Sequence, residues 1–152
     1  MIRSGLWARL AGTWVVLILS ARAGVAADWP GWRGPRRDGL ASERGLNWSW
    51  PETGPRRLWQ ATVGKGFSSF AVAQGRAFTL GHRDDADRVV CLDLETGQTL
   101  WEHHYPAALD PLSYEGGPSA TPTIAGDRVY TLSKSGQVFC LAVSDGEVVW
   151  SR

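Results

Sequence analysis

One twelve-residue pattern is written twice: CLDLETGQTLWE at residues 91–102 and CLAVSDGEVVWS at residues 140–151, an offset of 49 from Cys91 to Cys140. The self-match extends upstream, where GFSSFAVAQGRAFTL (66–80) aligns without gaps to PSATPTIAGDRVYTL (118–132) at an offset of 52. The difference of three falls within GHRDDADR (81–88), so a charged insertion is expected at a loop tip between two strands. Repeats of this length belong to arrays of supersecondary units, each needing its neighbour to bury an apolar face.

Each unit divides into four short strands. The first set is expected at about 67–73, 76–81, 88–92 and 98–102, the second at about 120–124, 128–133, 137–142 and 147–151. Gly75 and Gly126-Asp127 mark the first turns, and Thr96-Gly97 and Asp145-Gly146 the last, where glycine takes the positive φ of a tight hairpin. With 18 Gly, 9 Trp and 1 Met, the composition favours short strands and tight turns over helices. Four antiparallel strands per repeat describe a propeller blade, so the expected fold class is all-β, with blades at about 66–102 and 118–151. A partial copy, ETGPRRLW (52–59) beside ETGQTLW (95–101), adds one further outer strand at about 57–63.

Trp101 and Trp150 follow their turn glycines, Gly97 and Gly146, by four residues on each blade's outermost strand. A tryptophan there covers the gap to the adjacent blade, and burying it removes about 150–250 Å² from water. At about 25 cal/mol per Å² that is worth roughly 4–6 kcal/mol as an upper bound. Trp59 holds the same place in the partial copy. These five residues, Trp59, Gly97, Trp101, Gly146 and Trp150, are the expected blade-docking set.

Residues 1–27 stand apart. Arg3 and Arg9, the apolar run AGTWVVLILS and the small-residue stretch ARAGVAAD follow the order of a secretory signal peptide, with cleavage expected after Ala26 or Ala27. The run is shorter than the roughly 20 residues needed to span a bilayer. Losing Arg3, Arg9 and Arg22 takes the formal charge from +1 to −2, which gives no basic field for nucleic acid. The mature chain is expected outside the cytoplasm, periplasmic or secreted. No cysteine lies near the cleavage site to carry a lipid anchor. Cys91 and Cys140 occupy equivalent places in successive sheets, about 10 Å or more apart, and are expected as buried free thiols.

The pattern Asp-x-x-Thr-Gly-x-x-x-Trp, formed by Asp93, Thr96, Gly97 and Trp101, resembles that of the pyrroloquinoline-quinone (PQQ)-like repeat propellers. The opening DWPGWRGPRRDG (28–39), leading into GLNWSWPETGPRRLWQATVGKGFSS, resembles the N-terminus of exported bacterial proteins of that group, relatives of the assembly protein BamB and of the quinoprotein dehydrogenases. The resemblance covers essentially the whole mature chain. It implies that the motif tryptophan stacks near a turn glycine between blades, which carries over to Trp101 with Gly97 and to Trp150 with Gly146. In the second repeat Ala142 and Asp145 stand where the motif has Asp and Thr, a looser match. The resemblance to quinoprotein dehydrogenases implies PQQ and Ca²⁺ in an axial funnel, adjacent cysteines and a catalytic aspartate. No two cysteines are adjacent here, so neither cofactor is expected in this chain, only in a full-length parent. Closed propellers use about 4–8 blades, so the expectation is an N-terminal part of a longer propeller, whose partners are the remaining blades or another protein.

No catalytic residue set emerges. VGKGFSS (63–69) lacks phosphate-loop spacing and is read as a turn. His103 and His104 are adjacent, which puts them on opposite faces of an extended chain, and they are read as part of a solvated loop over 103–118. That loop carries Asp110, Tyr114 and Glu115, the candidate rim-binding residues. DDADR (84–88) is read as a solvated tip, and Trp29, Trp32, Trp48 and Trp50 as packing an N-terminal segment, 28–56, onto the blades.

Overall fold

A computed structural model describes residues 27–112 and 114–152. The signal-peptide expectation falls on residues outside these, apart from Ala27. No helix of the described residues is long and apolar enough to cross a membrane.

The chain forms two four-stranded antiparallel sheets. The first comprises β1 (Ala71–Ala73), β2 (Arg76–Arg83), β3 (Ala86–Asp93) and β4 (Thr99–Pro106). The second comprises β5 (Thr123–Ala125), β6 (Arg128–Leu132), β7 (Val138–Ala142) and β8 (Val148–Ser151). Strand order follows chain order in both, so each sheet is a meander built from hairpins. Two propeller-type blades are therefore present, as the repeat implies.

The two sheets pack face to face over one apolar cluster. Phe78, Leu80, Val89, Cys91, Trp101 and Tyr105 of the first meet Val129, Phe139, Leu141 and Val143 of the second. Alternation along each strand supplies this face: Phe78, Leu80 and His82 point one way, and Ala77 and Thr79 the other. Both β3–β4 and β7–β8 carry a register shift at the same motif position, between Cys91 and Leu92 and between Cys140 and Leu141. The shift leaves Trp101 opposite Cys91 and Trp150 opposite Cys140, so one irregularity places both tryptophans alike.

Four expectations are corrected. Residues 57–63 form no strand. An outermost strand needs an inner neighbour to hydrogen-bond; this segment instead lies over the back of the first sheet, where Trp59, Ala61 and Val63 cover Ala77, Val90 and Leu92. The charged insertion is not a long loop: β2 and β3 run to Arg83 and Ala86, and only Asp84-Asp85 turn, both at positive φ. Of DDADR, Asp87 is buried. His103 and His104 lie in β4 rather than in a loop, His103 half-buried and His104 exposed. Finally, of the four N-terminal tryptophans, only Trp29 docks. It pairs with Val72 through two backbone hydrogen bonds of 2.7 and 2.8 Å and lies against Gly34. Trp32, Trp48 and Trp50 are exposed, Trp48 by 78%.

Candidate functional site

The repeat motif closes the interface between sheets, and it does so one blade further along than the resemblance implied. Trp101 does not pack on Gly97 of its own blade. Its ring lies against Gly146 of the next one, where an added Cβ would come within 2.5 Å of the indole. Its Nε1 donates to the Val143 carbonyl at 2.9 Å. Trp59 repeats this one blade earlier, with its ring against Gly97, 2.5 Å from a notional Cβ, and Nε1 donating to Leu94 O at 2.9 Å. Gly97 and Gly146 have φ of 71° and 76°, so each turn needs glycine twice over, for its backbone and for the ring above it.

The turn itself is set by Asp93, whose Oδ1 accepts from Glu95 N, Thr96 N and Thr96 Oγ1 at 3.1, 2.8 and 2.7 Å. These donors hold its carboxyl below the usual range. Ala142 cannot do this in the second blade, where Asp145 accepts from Glu147 N instead. Arg76 adds a cross-blade tie by donating to the carbonyls of Val143 and Ser144. Trp150 meets no such turn among the described residues and stays 41% exposed on a β8 whose four residues are all exposed.

The rim loop begins after Pro106. Asp110 and Tyr114 are drawn to one cation: Lys134 Nζ lies 3.7 Å from Asp110 Oδ2 and 5.3 Å from the Tyr114 ring centroid. Tyr114 also meets Phe67 edge-on at 5.1 Å. The loop is thereby clasped to the second sheet, while Glu115 is exposed.

Missed by the sequence reading is a row of polar side chains at the open end of the inter-sheet core. His82, Asp87 and Tyr105 are register partners across β2, β3 and β4. His82 Nδ1 and Asp87 Oδ1 are 2.9 Å apart, with side chains only 6% and 3% exposed. Tyr105 buries its hydroxyl, and among the described residues only Asp87 is close enough to act on it, just beyond ordinary hydrogen-bond geometry. Burial, with Asp87 adding to it, drives its phenol well above the ordinary tyrosine range. His103, one row inward, packs on Phe139 at 5.3 Å between ring centroids. Alternation within each strand, folded back at the Asp84-Asp85 turn, puts His82 and Asp87 on the face of Leu80 and Val89.

Three cavities bear on binding. One of 680 Å³ lies where Trp32, Arg33 and Arg37 meet the inner strand β5. A second, of 450 Å³, is lined by Lys65, His82 and the Arg83–Asp85 turn. A third, of 270 Å³, lies between the sheets beside Asp87. Among the described residues no group of three or more His, Cys, Asp or Glu is placed to hold a metal ion. Cys91 and Cys140 are buried, unbonded and in different sheets. They do not form the adjacent pair that the resemblance to quinoprotein dehydrogenases implies.

The family model described as outer membrane protein assembly factor BamB matches residues 50–152. The chain belongs to this BamB-like family. The chain is also similar to two curated relatives, uncharacterized proteins of Rickettsia prowazekii (35% identical) and Rickettsia conorii (33%), each over 66 residues. Each match covers 43% of this chain and 15% of the relative, so the chain spans a small share of their length. Among solved structures, BamB from Moraxella catarrhalis is 26% identical with a TM-score of 0.39, covering 59% of this chain and 23% of that one. A europium-containing methanol dehydrogenase is 22% identical with a TM-score of 0.45, covering 56% and 15%.

Proposed function

We propose that this chain is part of an exported, non-catalytic scaffold of the cell envelope that binds or assembles protein partners through its blade rims and loops. The observation that carries this reading is the use of the repeat's own chemistry. Asp93, Thr96, Gly97 and Trp101 are all engaged in closing turns and joining blades, so the motif builds a platform and presents no reacting group. Two further facts support it: the matching family is described as an outer membrane protein assembly factor, and residues 1–27 have the order of an export signal. PQQ and Ca²⁺ have no place in this reading.

The test is to isolate the native product from its host's extracytoplasmic fraction. Its mass, bound quinone, cross-linked neighbours and dehydrogenase activity with added PQQ, Ca²⁺ and a panel of alcohols and sugars are then measured. The scaffold reading expects a quinone-free, inactive protein cross-linked to envelope proteins. Stoichiometric quinone, or turnover of any alcohol or sugar, establishes the quinoprotein dehydrogenase in its place.

A further inference from the structure

The 270 Å³ cavity between the sheets has walls from both: Asp87 and the 106–108 backbone from the first, and Ser133, Lys134 and Ser135 from the β6–β7 turn of the second. Its volume lies just under the roughly 300 Å³ at which sites for drug-sized ligands begin, so it suits a small molecule. Charge is arranged along it. Asp87 lines it with a side chain only 3% exposed, its Oδ1 2.9 Å from His82 Nδ1. Lys134, with a side chain 29% exposed, stands on the opposite wall beside the more exposed Asp110. The Ser133 and Ser135 hydroxyls are 3.0 Å apart and Ser133 accepts from Gln137 N, so the serine pair keeps a donor free. Tyr105, the register partner of Asp87, is buried beside it.

A buried carboxylate disfavours an anion, and an ammonium on the other wall disfavours a cation. A molecule with both charges, an N–H donor at one end and a carboxylate at the other, satisfies both walls. We propose that this inter-blade cavity binds a small zwitterion of the α-amino acid class. The ammonium is received by Asp87, backed by His82, and the carboxylate by Lys134 and the serine hydroxyls. The ligand carboxylate takes the place of Asp110 on Lys134. This site does not depend on the scaffold reading and uses no residue of the blade welds.

Calorimetric titration of the full chain with L-alanine, glycine betaine and glycerol tests it. L-alanine is expected to bind. Betaine, which has no N–H to give Asp87, and neutral glycerol are each expected to bind at least about tenfold more weakly. Asp87→Asn, which keeps an acceptor for His82 but removes the charge, is expected to weaken L-alanine about tenfold or more, and Lys134→Gln, a substitution on a surface turn, by a similar factor. The second variant serves if the first fails to fold. No binding of L-alanine up to about 10 mM overturns the proposal, as does betaine or glycerol binding equally well, or Lys134→Gln binding L-alanine like the unaltered chain.

Discussion

At the scale of single residues, the welds divide into filled and open. Trp101 is 8% exposed beneath the next blade, whereas Trp150 is 41% exposed. Trp101→Ala is therefore expected to cost about 3–5 kcal/mol and Trp150→Ala about 1 kcal/mol, read as the shift in urea midpoint at constant slope. Equal shifts would contradict the blade assignment. The glycines beneath the rings separate two costs that sequence alone merges. Gly126 has φ of 58° with nothing within 4 Å of an added Cβ, while Gly146 has φ of 76° with the Trp101 ring 2.5 Å away. Gly126→Ala is expected to cost about 1 kcal/mol from backbone strain, and Gly146→Ala about 2 kcal/mol more from displacing the indole. Thermal or urea denaturation of the two variants side by side decides it. That Gly97 and Gly146 turn the chain was legible in Thr96-Gly97 and Asp145-Gly146; which tryptophan rests on which glycine was not. The motif places Gly97 and Trp101 close in sequence, but the β-bulge and the stacking of sheets send the ring to the following blade.

At the scale of elements, the β2–β3 hairpin is where the sequence reading and the structure part most. A charged stretch of GHRDDADR reads as a tip, yet it lengthens two strands and buries His82 and Asp87 at their ends. Asp84 and Asp85, at φ of 55° and 56°, form a two-residue turn with both residues left-handed, a geometry that favours Asn-Gly. Replacing Asp84-Asp85 with Asn-Gly is expected to stabilise the chain by about 0.5–1 kcal/mol, since the exposed pairs of Asp84 with Arg83 and Arg88 contribute little. A fall in thermal midpoint would show those pairs to matter more than the turn. On β4, burial holds the His103 imidazole below its ordinary range, with the neighbouring His104 adding to the effect. Its folded value lies below its unfolded one, so the unfolded chain binds the proton first. The stability tied to the neutral ring is then complete above about pH 6.5 and lost as pH falls through the folded value. Urea midpoints from pH 7.5 down to 5 are expected to fall, and His103→Phe to flatten that part of the profile; an unchanged slope in the variant would assign the effect elsewhere. The candidate rim residues Asp110 and Tyr114 were visible as a polar loop, but their common partner Lys134 lies in the other repeat, where no spacing rule reaches.

At the scale of the whole molecule, one apolar cluster spans both sheets, and the two cysteines lie within it and behind it. Cys91 and Cys140 are 0% and 1% exposed, and burial pushes the Cys91 thiol up to about 11. Neither is expected to react with Ellman's reagent at pH 8 in the folded chain, and both are expected to react at once in guanidinium. Rapid labelling of either in native buffer would show the sheets to part readily. The sequence by itself determined the all-β class, two four-stranded units, the motif turns and the unbonded cysteines, because all of these follow from a local period or from one motif written twice. The tertiary structure alone decided that each tryptophan docks one blade onward and that residues 57–63 cover a face without joining a sheet. It also decided that a histidine, an aspartate and a tyrosine from three strands close the core beside a cavity. These depend on which faces meet when two sheets stack, a relation between residues distant in the chain that burial of apolar area selects.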